Sequence, residues 1–238
     1  MKTTQLKDNA LLKAAAAVSR EYIAKCNPDD LANDPLPTTR KESYGIETLL
    51  SIGNIVGCIE QLHFSIDMLS GYKSNSSPDK MNRYDYIVFG IENYYLRLTS
   101  IFDRCLRLAN VIYQLGLPER QCNNDSIIKN SHVKGTSVAK SLTKLDKFTG
   151  PFRYHRNTIA HHGTYSEKGL DQLGSYYFIA EEDNGFECYR YLFKKKTDDF
   201  VAEKKSDFKG QLVTLESLVD KYFNAVLSEF ETRLTAYV

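Results

Sequence analysis

The most constraining feature of the chain is one long apolar stripe. Between residues 81 and 115, Tyr84, Ile87, Val88, Ile91, Tyr95, Leu98, Phe102, Cys105, Leu108, Ile112 and Leu115 recur at helical spacing. Gly116-Leu117-Pro118 then supplies a stop. A helix of that length spans about 50 Å at 1.5 Å per residue, and its stripe is buried only if other long helices lie along it. The flanking sequence supplies them. Residues 44–71 carry Ile46, Leu49, Leu50, Ile55, Val56, Ile59, Leu62, Ile66 and Leu69 on one side, and the C-terminal stretch to Tyr237 repeats the pattern from Leu212 to Leu234. The expected fold is therefore mainly α, an antiparallel helical bundle.

The central stripe is interrupted by a polar row, Glu92, Arg97, Ser100, Asp103, Arg104 and Arg107. Pairs such as Asp103 with Arg107 stabilise an isolated helix by only tenths of a kcal/mol. The alternative is that Arg97 and Asp103 lie behind a functional helix, with a buried carboxylate holding an arginine or histidine in register.

Residues 3–26 read as a first helix, followed by a loop with Pro28, Pro35 and Pro37. This divides the chain into an N-terminal helix and loop, residues 1–43, and a main domain, residues 44–238, with the first helix as an arm. Residues 73–78 close the second helix as a loop, and Asn123-Asn124-Asp125 marks a turn cluster. A shorter helix is expected over 136–148, with Val138, Leu142 and Leu145 on one side and lysines opposite. From 173 to 195, aromatic and β-branched runs flank Asn184-Gly185, which predicts a β-hairpin insertion packed on the helices. Thr197-Asp198-Asp199 then reads as the cap of the last helix.

Five widely spaced cysteines, with no Cys-x-x-Cys pair, suggest reduced thiols. Read as sequence, no apolar run approaches the ~20 residues that cross a bilayer, and the N-terminus lacks a continuous apolar region. The expectation is a cytoplasmic protein with no membrane partner. A net charge of +1 argues against indiscriminate coating of nucleic acid, which requires a broadly basic surface. The basic residues are concentrated instead: Lys129, Lys134, Lys140, Lys144, Lys147, Arg153 and Arg156 face the single acid Asp146.

That segment ends in Phe152-Arg-Tyr-His-Arg-Asn-Thr-Ile-Ala-His-His-Gly163, where three of the five histidines lie within twelve residues. Gly150-Pro151 suits the start of a helix and Gly163 its end. At about 100° per residue Asn157 and His161 share a face, with Arg153 one turn earlier and Arg156 beside them. Phe152 and Ile159 remain as apolar anchors. His155, His161 and His162 lack acid or thiol neighbours in the sequence, so no metal site and no cofactor is expected. A glycine-rich phosphate loop is absent, and nothing favours Cys105 or Cys122 as a nucleophile.

Arg156-Asn-Thr-Ile-Ala-His161 resembles the signature of the HEPN superfamily, an arginine, a polar residue and then a histidine four to six positions after the arginine. The resemblance implies a helical-bundle domain and metal-independent cleavage of RNA, with Arg156, Asn157 and His161 as catalytic residues. Arg153, His162, Arg97 and Asp103 are supporting candidates, and Lys140, Lys144 and Lys147 candidates for holding RNA. It also implies a homodimer that brings two motifs together, and a toxin or antiviral setting with an antitoxin or other regulatory partner. A domain of this kind that binds RNA, a nucleotide or a partner without cleaving is the competing reading.

Overall fold

The computed structural model describes residues 5–24, 39–72, 81–182 and 184–237. The Pro-containing loop up to residue 38 and the expected loop at 73–78 fall outside them. Among the described residues all regular structure is helical: α1 (Ala10–Ile23), α2 (Arg40–Met68), α3 (Arg83–Tyr113), α4 (Asn124–Ile128), α5 (Ser137–Thr149), α6 (Arg153–His162), α7 (Lys168–Glu182) and α8 (Arg190–Thr235), with short 3-10 turns between. α2, α3 and α8 are 29, 31 and 46 residues long.

The chain forms two compact units. The first comprises Met1–Glu60, Ser100–Gly150 and Leu215–Val238, the second Gln61–Thr99 and Pro151–Thr214. The three long helices contribute residues to both.

In the first unit the core is built from Leu11, Ala15 and Val18 of α1, Ile52 and Ile55 of α2, Phe102, Cys105 and Ile112 of α3, Leu142 and Leu145 of α5, and Val219, Tyr222 and Phe230 of α8. Two buried tyrosines cross-link it. Tyr44 donates to the Ile112 carbonyl at 3.1 Å, and Tyr222 to the Cys105 carbonyl at 2.7 Å. Burial holds both phenols well above their ordinary pKa, so each remains a neutral donor. The first helix, expected as an arm, has its apolar side buried here. Asn9 caps it by accepting from Leu11 N–H and donates to Asp220 and Asn224 of α8.

In the second unit Ile66, Ile91, Leu98, Leu170, Leu173 and Leu212 are buried around an aromatic centre. Tyr94 stacks on Phe208 with ring centroids 3.8 Å apart, and its hydroxyl donates to the Phe208 carbonyl at 3.1 Å.

The β-hairpin expected over 173–195 is not formed. The described part of that stretch is α7, a 3-10 turn over Asn184–Tyr189 and the start of α8. Leu170, Leu173 and Tyr176 lie three residues apart and are all buried, so the helical period set upstream continues through the aromatic run. Tyr176 then stacks on Phe193 at 3.6 Å, a contact between helices rather than across a strand pair. For the same reason α8 starts before the expected cap. Thr197 is buried inside it, its hydroxyl donating to the Phe193 carbonyl at 2.8 Å. Asn123, expected in a turn cluster, caps the short α4 with a reciprocal Ser126 bond.

The membrane expectation also changes. α2 is long and apolar enough, by length and composition, to cross a bilayer, with a mean hydropathy of 1.3 over 18 residues. Its Ile52, Ile55, Ile59, Leu62 and Ile66 are buried within the protein, which is what a long core helix requires.

Candidate active site

α6 is a ten-residue helix entered through the 3-10 turn Gly150–Phe152 and ended by Gly163, whose φ of 93° is the left-handed conformation that glycine adopts without Cβ strain. Helices this short are marginal alone, so α6 depends on what it packs against. Its inner side is Phe152, His155 and Ile159, all half-buried. The anchor is Tyr95 of α3, only 4% exposed. Its ring stacks on His155 at 4.5 Å and lies 6.1 Å from Phe152 and 5.3 Å from Tyr165.

Just beyond Gly163 the chain is tied down by polar groups. Tyr165 N–H donates to Glu92 at 2.8 Å, and Tyr165 O–H donates to Glu167 at 2.8 Å. Lys204 of α8 pairs with the same Glu167 oxygen at 2.6 Å. Burial, with help from Lys204, lowers the pKa of His155 below its usual value, while Glu167 opposes the shift. His155 is thus a neutral packing residue. Its role was legible in its spacing, three residues after Phe152 and four before Ile159.

The outer side of α6 carries the motif. Arg153, Arg156, Asn157 and His161 are all exposed, and Arg156 donates to the side-chain amide oxygen Oδ1 of Asn157 at 3.0 Å. His162 is the last residue of the helix. Among the described residues no three His, Cys, Asp or Glu side chains gather as a metal-ligand set.

The supporting groups differ from expectation. Asp103 is an exposed residue of the first unit rather than a buried carboxylate, and water screens whatever it pairs with. Arg107 pairs with Glu119. Arg97, in the second unit, donates to Gln61 at 2.9 Å, which joins α2 and α3, and to Asn93 one turn earlier in α3 at 2.6 Å. The carboxylate from the polar row that does support the motif is Glu92, through the backbone after Gly163. Lys140, Lys144 and Lys147 form the exposed side of α5, opposite the buried Val138, Leu142 and Leu145, in the first unit. Cys105 is fully buried, and burial pushes both Cys105 and Cys122 away from the reactive thiolate, so neither is placed as a nucleophile.

A family model described as Cthe2314-like HEPN matches residues 51–222, most of the chain, and this span contains α6. The chain belongs to the HEPN superfamily. No curated protein and no solved structure matches it. Membership agrees with the all-helical architecture and places the protein in a superfamily that includes many ribonucleases. Within this HEPN domain, the Arg-Asn-x3-His stretch occupies one solvent-facing helical surface while the opposite surface is held by aromatic packing. Chemically, that surface offers planar guanidinium donors for a phosphate and an imidazole able to exchange protons.

Proposed function

We propose that this HEPN protein is a metal-independent endoribonuclease whose catalytic residues are Arg156, Asn157 and His161. The observation that supports it best is the sidedness of α6: the motif residues face solvent although their neighbours Phe152, His155 and Ile159 pack inward. Structural arginines and histidines would be turned toward partners in the core.

RNA carries its own nucleophile, the 2′-hydroxyl, so cleavage requires proton transfer and a cation for the charge developing on phosphorus. His161 passes the proton, Arg156 binds the phosphate in bidentate fashion, and Asn157 orients Arg156 through their hydrogen bond. Arg153 supplies a further cation, and His162, next in sequence to His161, a further proton carrier. Lys140, Lys144 and Lys147 neutralise backbone phosphate. One His161 per chain serves as acid and base when two copies associate, so the active form is a homodimer. The biological setting that fits is a toxin or antiviral effector restrained by a regulatory partner and cutting exposed single-stranded RNA such as anticodon loops, since the net charge of +1 excludes bulk electrostatic capture.

The test is incubation of wild-type and His161→Ala protein with total RNA, with and without EDTA. Cleavage by the wild type that persists in EDTA, leaves 2′,3′-cyclic phosphate ends and disappears in the variant is the expected result. Cleavage that requires added Mg²⁺ or Mn²⁺ refutes the mechanism. RNA binding without any cleavage would favour the non-catalytic reading.

A further inference from the structure

Away from the motif, within the first unit, a small cavity of about 70 Å³ is lined by Ser51 and Asn54 of α2 and Arg104 and Arg107 of α3. Its lining contains two guanidiniums, a hydroxyl and a carboxamide, and no carboxylate. Arg104 and Arg107 are three residues apart, so both side chains reach the same side of α3. Arg104 is held only at the long edge of hydrogen bonding, 3.4 Å to Ser100 Oγ and 3.4 Å to the Asn54 carbonyl. Most of its fork therefore remains available. Arg107 is engaged through one nitrogen by Glu119, but both side chains of that pair are about half exposed or more, and such a pair exchanges readily.

The volume is that of roughly two water molecules at about 30 Å³ each. That is enough for one tetrahedral oxyanion.

We propose that this cavity is a phosphate subsite distinct from the Arg-Asn-x3-His motif, in which Arg104 and Arg107 grip the oxyanion and Ser51 and Asn54 complete its hydrogen bonds. Fork geometry suits arginine to this task, because two parallel N–H bonds match two phosphate oxygens. The phosphate belongs either to a small solute, a free phosphate or mononucleotide, or to an RNA strand. The subsite does not depend on RNA cleavage by α6.

The experiment follows backbone amide shifts at Ser51, Asn54, Arg104 and Arg107 while inorganic phosphate is titrated into the full chain. A second arm uses a short 2′-O-methyl oligonucleotide, which lacks the free hydroxyl needed for cleavage, with and without a 5′-phosphate. Saturable shifts at these residues, weakened about ten-fold or more in R104Q/R107Q, are expected, as for loss of charge-assisted bonds. A far-UV spectrum and melting curve like those of the wild type show that the variant is folded. Because all four side chains are at least partly exposed, R104Q/R107Q is expected to pass that control, and R104K, which keeps the charge but not the fork, gives an independent intermediate affinity. Oligonucleotide binding about ten-fold tighter than phosphate and lost in the variant assigns the subsite to RNA. Equal affinities assign it to a small phosphate-bearing solute. Shifts that rise linearly without saturation, or that are identical in wild type and R104Q/R107Q, overturn the proposal.

Discussion

Replacing Tyr95 by alanine tests whether α6 is held by its aromatic anchor. The ring is 4% exposed and meets His155, Phe152, Tyr165 and Phe208. Burying an aromatic side chain of roughly 150–250 Å² at about 25 cal/mol per Å² corresponds to about 4–6 kcal/mol. Large-to-small aromatic substitutions in cores cost about 3–5 kcal/mol, because the cavity partly collapses. We expect Tyr95→Ala to lose about 3–5 kcal/mol, a fall in Tm of roughly 6–20 °C for a chain of this size. Tyr95→Phe keeps every ring contact and gives up the hydroxyl that bonds Tyr165, so it should cost about 1 kcal/mol. His155→Ala removes a half-buried ring and should cost about 0.5–1.5 kcal/mol. Urea unfolding followed by far-UV circular dichroism reads the ranking: Tyr95→Ala loses the most, and His155→Ala and Tyr95→Phe each lose a fraction of that. Hydrogen exchange adds the local measure, since a ten-residue helix released from its anchor should exchange faster than α2 or α3. A loss below about 1 kcal/mol in Tyr95→Ala, or α6 amides that exchange as in the wild type, would refute the anchoring argument.

Acidification should destabilise the wild type through His155. Its folded pKa lies below 6.5, so the unfolded chain takes up the proton first. The stability contribution is intact above pH 6.5 and is lost as the pH falls from there through the folded pKa, so a gap between wild type and His155→Gln that stays constant from pH 7 to pH 5 would contradict it. Arg156→Ala and His161→Ala should abolish cleavage while changing stability by no more than about 0.5 kcal/mol, as exposed side chains do, and melting curves check this directly. Glycine-to-alanine changes should split in sign. Gly210→Ala, exposed in α8 with nothing near its added Cβ, should gain up to about 1 kcal/mol of helix propensity. Gly45→Ala would place its Cβ 2.4 Å from a methyl of the stiff Val18 side chain and should instead lose about 1–3 kcal/mol by overpacking, measured in the same urea series. The homodimer should be visible by light scattering, and full specific activity in a strictly monomeric sample would count against a shared site.

The sequence by itself determined what depends on local periodicity and local chemistry. The stripe of α3, its stop near Gly116, the short helix α5 and the left-handed end of α6 at Gly163 all follow from residues within a turn of one another. The same is true of the exposed row Arg153, Arg156, Asn157 and His161, because a helix fixes which residues share a side, and of the stretch Arg156–His161 that resembles the superfamily signature. What required tertiary structure was every question in which two stretches compete for the same backbone. Residues 173–182 satisfy a strand pattern locally, yet Leu170, Leu173 and Tyr176 bury together only as a helix, and Phe193 completes the stack from the next element. Asp103 and Glu92 are equivalent in sequence as acids on one polar row. Only packing distinguishes them: α3 turns Asp103 to water and sets Glu92 against the backbone N–H of Tyr165, seventy-three residues away. For His155, helical spacing places the ring on the inner side of α6 and His161 on the outer, but only packing supplies the ring of Tyr95 that makes His155 a neutral anchor. Helical periodicity is encoded within a few residues, whereas the side chain that a given face meets is set by distant parts of the chain, and that partner decides burial, protonation and role.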